Sequence, residues 1–146
     1  MDQTPEQVLA KSLVAENKLN KLIDEVKKNN SLKADQIIIG GFSQGCMITL
    51  QAGLKRKDMV NSVIGYSGRI IDTEHLSKNI NSRPNIMLMH GDNDQVVTIE
   101  AFLEAKDFFG KNNYIIESKI FKNSEHRIPT EGSSLGLQFI KKHFKY

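Results

Sequence analysis

Cysteine, long apolar runs and excess charge are all scarce in this chain, and each shortage excludes a class of protein. A single cysteine, Cys46, excludes any disulfide within the chain. No apolar stretch at the start matches a signal peptide, and no apolar run is long enough to cross a membrane, so we expect a cytoplasmic protein. A formal net charge of +3 is too small to indicate a nucleic-acid partner.

Repeats and low-complexity tracts are also absent, and nothing in the composition marks an internal domain boundary. The 146 residues are enough for a substantial core, so we expect residues 1–146 to form a single domain. With 39% hydrophobic and 25% charged residues, the composition is that of an ordinary soluble globular protein.

One short segment, IIIGGFSQGC (37–46), combines an apolar run, two glycines and a serine. The apolar run predicts a buried strand and the residues from Gln44 onward predict a helix, so Ser43 lies on the turn between them. Gly41 and Gly45 flank this serine in the pattern G-x-S-x-G, which is typical of a nucleophile elbow. We expect glycine at both places because a Cβ would collide where strand and helix pass closely. The alternative is a tight turn with an incidental serine.

The rest of the chain alternates between predicted helices and strands. Thr4, Pro5 and Gln7 provide an N-cap, a first helical residue and a capping-box partner for the first helix. The first predicted helix ends near residue 30, and the others cover 44–55, 72–79, 98–109 and 131–144. The predicted strands cover 36–40, 60–66, 85–90 and 114–121. This alternation predicts an α/β fold with a mostly parallel sheet of about four strands and helices on both faces.

Ligands of such sheets bind beyond the carboxyl ends of the strands. The polar residues that the prediction places there are Ser43, Ser67, His90, Asp92, Asp94 and His126.

A serine hydroxyl is a poor nucleophile until an imidazole takes its proton, and the imidazole needs a carboxylate to fix its tautomer. In hydrolases built on this elbow, the partners follow in the order serine, acid, histidine. Asp92 and Asp94 follow the third predicted strand and His126 follows the fourth, so they are the candidates. The alternative for His126 is an exposed loop histidine without a role.

The other three histidines suit this order less well. His90 precedes both acids and abuts a glycine, so we expect it to pack or to bond the loop. His75 and His143 lie on predicted helices, where we expect surface or packing roles.

Four segments, GGFSQGC, GYSGRI, HGDNDQVV and SEHRI, resemble successive blocks of the phospholipase/carboxylesterase family, in the acyl-protein-thioesterase-like branch of the α/β-hydrolases. The resemblance extends from about Val14 to the C-terminus. It implies Ser43 as nucleophile, Asp94 as orienting carboxylate and His126 as general base. It also implies the backbone N–H of Gln44 as an oxyanion donor, and hydrolysis of small carboxylic esters, acyl thioesters or lysophospholipids without metal or cofactor.

The chain departs from the family pattern in three places. Cys46 stands where the family has a smaller residue, and Thr98 replaces a proline after the HGDND block. Family members also carry earlier strands and an HG-rich loop that supplies the second oxyanion N–H, and nothing in residues 1–30 resembles that loop. The resemblance therefore implies a truncated α/β-hydrolase that corresponds to about the C-terminal two-thirds of the family fold.

Three functions remain open at this point. The chain is a serine esterase or thioesterase that works through an acyl-enzyme, or a weak or inactive remnant that serves as a binding module, or one half of a split hydrolase. Phe42, Arg69 and Ile70 are candidates for lining the substrate site.

The resemblance also has a consequence for assembly. Without earlier strands, the strand 36–40 becomes an edge with no charge or proline to discourage pairing, so we expect a homo-oligomer through that edge. The competing expectation is that the N-terminal helix folds over the edge and keeps the chain monomeric.

Overall fold

The computed structural model describes residues 2–144, in which helices and strands alternate along the chain. The helices are α1 (Pro5–Asn29), α2 (Gln44–Lys55), α3 (Thr73–Lys78), α4 (Ile99–Lys111) and α5 (Thr130–His143), and the strands are β1 (Ile38–Phe42), β2 (Ser62–Tyr66), β3 (Asn85–Gly91) and β4 (Glu117–Phe121). The predicted α/β architecture is confirmed, because the four strands form one sheet in the order β1-β2-β3-β4 and every neighbouring pair is parallel.

Side chains of the central strands alternate between two apolar clusters, one on each face of the sheet. Val63 and Leu88 belong to the cluster that includes α2 and α4, whereas Ile64 and Met87 belong to the cluster that includes Phe139 of α5. Full burial of such a side chain contributes about 1.5–3 kcal/mol, against about 0–1 kcal/mol for an exposed ion pair. The two apolar clusters, rather than the surface charges, therefore hold the sheet to its helices.

Three strands, β1, β2 and β4, begin later than predicted, and β2 begins at Ser62 rather than at residue 60. β1 begins later than residue 36 because residues 34–36 form a 3₁₀ turn, in which the N–H of Ile37 donates to the carbonyl of Ala34 at 3.0 Å. β4 is shorter than 114–121 because the chain at Tyr114 still bonds back to α4, where the N–H of Tyr114 donates to the carbonyl of Phe109 at 2.9 Å.

Helix α1 begins as predicted and lies alongside α2. Thr4 Oγ1 accepts from the N–H of Gln7 at 3.1 Å, and the Gln7 side chain accepts from the N–H of Thr4 at 2.9 Å, which is the capping box.

Two side-chain contacts fix the direction of α1 relative to α2. Gln51 Nε2 donates to Ser12 Oγ at 3.1 Å, and Lys55 Nζ donates to Glu16 Oε1 at 2.9 Å. Since each pair lies one turn beyond the other on both helices, α1 and α2 run in the same direction. Both helices therefore begin on the side of the sheet where the carboxyl ends of the strands lie.

Candidate active site

Ser43 occupies a strained turn between β1 and α2. Its φ is 57° and its ψ is −117°, a conformation that non-glycine residues seldom adopt and that costs about 1–3 kcal/mol. Its N–H donates to the carbonyl of Tyr66 at 2.8 Å, which holds the turn against the end of β2. The serine hydroxyl is thus presented at the carboxyl edge of the sheet, as the sequence pattern predicts.

The two glycines of the pattern differ in their surroundings. A Cβ on Gly41 would lie 2.2 Å from the carbonyl carbon of Gly45 and 2.7 Å from the nitrogen of Cys46, both of which are backbone atoms. A Cβ on Gly45 would meet nothing within 4 Å. The steric expectation is therefore confirmed for Gly41 and wrong for Gly45, because the backbone of Gly45 is the surface that Gly41 approaches.

Three side chains from three separate loops, those of Ser43, Asp94 and His126, meet at the carboxyl ends of the strands. His126 Nε2 lies 3.1 Å from Ser43 Oγ, and His126 Nδ1 lies 2.7 Å from Asp94 Oδ2. An ionised carboxylate can only accept, so Nδ1 carries the proton and Nε2 is left to accept from the serine hydroxyl. This is the tautomer in which an imidazole can take a proton from serine.

The loop backbone holds Asp94 in place. Its Oδ1 accepts from the N–H groups of Val96 and Val97, each at 2.9 Å. Burial raises the pKa of Asp94, but the hydrogen bonds from His126 and from these two N–H groups outweigh it, and the net pKa is lowered from its usual value. The carboxylate therefore stays charged at neutral pH although its side chain has no exposed surface.

His90 bonds the acid loop, in agreement with the sequence. The side chain is fully buried, and Nε2 donates to the carbonyl of Val97 at 2.7 Å. The same nitrogen lies 3.6 Å from Asp94 Oδ2. His90 thus closes the loop that presents Asp94 to His126.

Asp92, the other candidate acid, points elsewhere. Its side chain is exposed and Oδ1 accepts from the N–H of Asn123 at 2.7 Å. This bond ties the loop after β3 to the loop after β4. The geometry therefore pairs His126 with Asp94 rather than with Asp92.

Among the expected substrate-contacting residues, two border the site and one does not. The ring of Phe42 is partly exposed and packs against the ring of His126 at a tilt of 41°, with 4.7 Å between ring centroids. Arg69 lines a groove together with Gln44, whose N–H is one of the first of α2 and has no intrahelical acceptor. Ile70 packs against the apolar core instead, and Ile71 lines the groove.

The remaining histidines and the cysteine make contacts away from this site. His75 Nε2 lies 2.9 Å from Lys55 Nζ, and His143 Nε2 lies 3.0 Å from Glu117 Oε2. Burial raises the pKa of the Cys46 thiol to about 12, against a smaller lowering by its hydrogen bond with the Gly68 backbone. Cys46 is therefore a neutral, buried side chain that packs in the core next to the elbow.

Residues 2–144 contain no group of three or more His, Cys, Asp and Glu side chains placed to hold a metal ion. In the same part of the chain, no helix combines the length and apolar character that a bilayer span requires.

Comparison with known proteins gives a consistent group of relatives. A family model described as Phospholipase/Carboxylesterase matches residues 2–146. Acyl-protein thioesterase 1 of Saccharomyces cerevisiae is 34% identical over 137 residues, which cover 86% of this chain and 59% of the yeast protein. Acyl-protein thioesterase 1 of Yarrowia lipolytica is 30% identical over 127 residues, which cover 84% of this chain and 53% of that protein. The chain thus spans less than two thirds of the length of these relatives.

Solved structures match the fold over nearly the whole chain. The crystal structure of esterase PE8 superposes with a TM-score of 0.91 at 26% identity, over 98% of this chain and 66% of that chain. Arabidopsis thaliana SOBER1 superposes with a TM-score of 0.82 over 99% of this chain, and at 21% identity it supports the fold alone.

Proposed function

The chain belongs to the phospholipase/carboxylesterase family, and we propose that it is a serine hydrolase of carboxylic esters or acyl thioesters. The observation that supports this proposal is the pair of distances around His126, 3.1 Å to Ser43 Oγ and 2.7 Å to Asp94 Oδ2. The curated relatives that carry the name acyl-protein thioesterase, and the esterase PE8, favour the same reaction class.

The proposed reaction proceeds in two halves. Ser43 Oγ attacks the carbonyl carbon while its proton passes to His126 Nε2, and the charge of Asp94 stabilises the imidazolium that forms. The carbonyl oxygen becomes an oxyanion that accepts from the N–H of Gln44. His126 then protonates the departing alcohol or thiol, and the acyl group remains bound to Ser43 Oγ as an acyl-enzyme. Water attacks the acyl-enzyme by the same route in reverse and releases the acid.

We expect the 146-residue chain to react slowly. In α/β-hydrolases the second oxyanion donor comes from a loop before the nucleophile strand, and residues 2–36 form α1 and a 3₁₀ turn instead. The lack of one donor costs about 10²–10³ in rate. Ser43, His126 and Asp94, in that order, each lie within hydrogen-bond distance of the next, so we expect slow hydrolysis rather than none.

A serine-directed fluorophosphonate probe and short p-nitrophenyl esters test the proposal. Ser43→Ala is expected to abolish labelling and hydrolysis while the chain stays folded. His126→Ala is expected to be as damaging, and the double variant no worse than either, because members of a relay act as a unit. Hydrolysis by Ser43→Ala at the wild-type rate would show that another residue is the nucleophile.

We also propose that two copies associate through β1. The carbonyl of Ile37 accepts from the N–H of Asn61, and the N–H of Ser43 donates to the carbonyl of Tyr66, so both bonds are made on the β2 side. Because alternate residues of a strand bond to opposite sides, the N–H and C=O groups of Ile38, Gly40 and Phe42 lie on the free side. The neighbouring face is an apolar groove of about 570 Å³ between β1 and α5, which includes Leu137. α1 packs on α2 and leaves β1 without a second strand partner among residues 2–144. An uncharged, unpaired edge of this kind favours pairing with another strand.

Sedimentation at micromolar concentration tests the association. The wild-type chain is expected to sediment as a dimer or larger species, and Ile38→Lys is expected to sediment as a monomer. Leu103→Lys, at an exposed apolar position on α4, is the matched control and should leave the assembly intact. A monodisperse 16.5 kDa wild-type particle would contradict the proposal.

A further inference from the structure

A groove of about 450 Å³ lies between the first halves of α1 and α2. It is lined by Val8 and Lys11 of α1, Gln44 and Met47 of α2, and Arg69 and Ile71 of the segment after β2. Ser12 also lines the groove, and its hydroxyl accepts from Gln51 across the two helices. Gln44, the residue that directly follows Ser43, is another lining residue. The groove therefore lies beside the turn that carries Ser43.

The lining is positively charged as well as apolar. Lys11 and Arg69 are its two charged residues, and it contains no acid. Arg69 Nη1 reaches only the carbonyl of Ile71, at 3.4 Å, and none of the ion pairs among residues 2–144 involves Lys11 or Arg69.

Nearby acids within residues 2–144 form no ion pair with these two cations. Glu6 is two residues from Val8 and therefore lies on a different side of α1. The Asp72 carboxylate accepts from the N–H of His75 and caps α3. Both α1 and α2 begin at this end of the sheet, so their N-terminal N–H groups add further positive potential.

The position of His126 indicates which part of an ester would enter the groove. His126 protonates the departing group, so that group must lie on the His126 side of Ser43. No residue of the loop that carries His126 lines the groove. The acyl portion, which stays on Ser43, is therefore the portion that faces α1 and α2.

We propose that this groove takes an acyl chain that ends in a carboxylate, and that Lys11 and Arg69 bind this carboxylate. The apolar side chains of Val8, Met47 and Ile71 contact the methylene groups between the two ends. The preferred substrates are then half-esters or half-thioesters of dicarboxylic acids. This inference rests on the proposed hydrolase function for its catalytic step but not for its binding step.

Two esters of equal chain length test the preference. The value of kcat/KM is measured for p-nitrophenyl hydrogen adipate and for p-nitrophenyl hexanoate, with the 146-residue chain. We expect the ratio to favour adipate about tenfold, and to fall about threefold in either Arg69→Gln or Lys11→Gln, since each removes one partly exposed ion pair. Lys21→Gln is the charge-matched control, because it lies about 15 Å further along α1, and should leave the ratio unchanged. A wild-type ratio near one, or a ratio that neither variant lowers, would overturn the inference.

Binding without turnover separates this inference from the hydrolase proposal. Ser43→Ala is titrated with monomethyl adipate and with methyl hexanoate, and the chemical shift of the Met47 methyl group is followed by NMR. Tighter binding of monomethyl adipate, weakened by Lys11→Gln, supports the groove even if the wild-type chain hydrolyses neither ester. Hydrolysis of both esters with equal affinity would leave the hydrolase proposal standing and would refute the carboxylate site. Lys11 is exposed, so its variant keeps the test valid if Arg69→Gln does not fold.

Discussion

Replacement of Gly41 by alanine tests how closely the elbow is packed. The new Cβ would lie 2.2 Å from the carbonyl carbon of Gly45, whereas ordinary contact begins at 3.4 Å, so one of the two backbone segments must move by about 1 Å. Overpacking of this kind typically costs about 1–3 kcal/mol, and the obstacle here is backbone that cannot rotate away. A displacement of about 1 Å at a reacting group also costs about 10²-fold in rate. We expect Gly41→Ala to lose both stability and reactivity at Ser43.

The assay is urea unfolding together with the rate of fluorophosphonate labelling. Gly45→Ala is the matched control, since its Cβ meets nothing within 4 Å and alanine is favoured over glycine in a helix by up to about 1 kcal/mol. The urea midpoint of Gly45→Ala should equal or exceed that of the wild type. An unchanged midpoint and labelling rate for Gly41→Ala, or equal losses in both variants, would refute the steric reasoning.

Three further predictions concern the acids and the thiol. Asp94→Asn should lower kcat by about 10²–10⁴-fold, whereas Asp92→Asn should be mild because its side-chain oxygen can still accept from Asn123; a larger loss from Asp92→Asn would reverse the choice of acid. Because folding lowers the pKa of Asp94, its charge stabilises the fold above the ordinary pKa of about 3.9 and this stabilisation is lost as pH falls through the folded-state pKa. The urea midpoint should then fall less on acidification in Asp94→Asn than in the wild type, and equal acid sensitivity would contradict the assignment. Cys46 should resist iodoacetamide in the native chain at pH 8 and react once urea unfolds it, because burial raises the pKa of the thiol to about 12; rapid alkylation of the native chain would show an exposed thiol.

Features that depend on local sequence could be predicted well. The capping box at Thr4 and Gln7 needs only residues three apart, and the alternation of Val63 and Ile64 follows from the period of a strand. The pairing of Ser43 with His126 was also predictable, because the order of residues in the elbow hydrolases limits the candidates to a few strand ends.

Features that depend on how elements approach one another could not be predicted in this way. A Cβ on Gly45 would meet nothing within 4 Å whereas one on Gly41 would meet backbone, and the sequence pattern treats both glycines alike. The contact between the rings of Phe42 and His126 joins one edge strand of the sheet, β1, to the loop after the opposite edge strand, β4. The groove beside Gln44 exists because α1 and α2 are parallel, and no periodicity within either helix fixes that direction.

The sequential order of the strands determines when the site can form during synthesis. β1 and β4 are opposite edges of the sheet, about 14 Å apart at the usual strand spacing, and the loop after β4 reaches back across the sheet to Ser43. His126 lies 83 residues after Ser43, so at a translation rate of about 5–20 residues per second Ser43 leaves the ribosome several seconds before His126. During that interval the Ser43 hydroxyl lacks its contact with His126 Nε2. This contact therefore forms only after β4, the last of the four strands, has been synthesised.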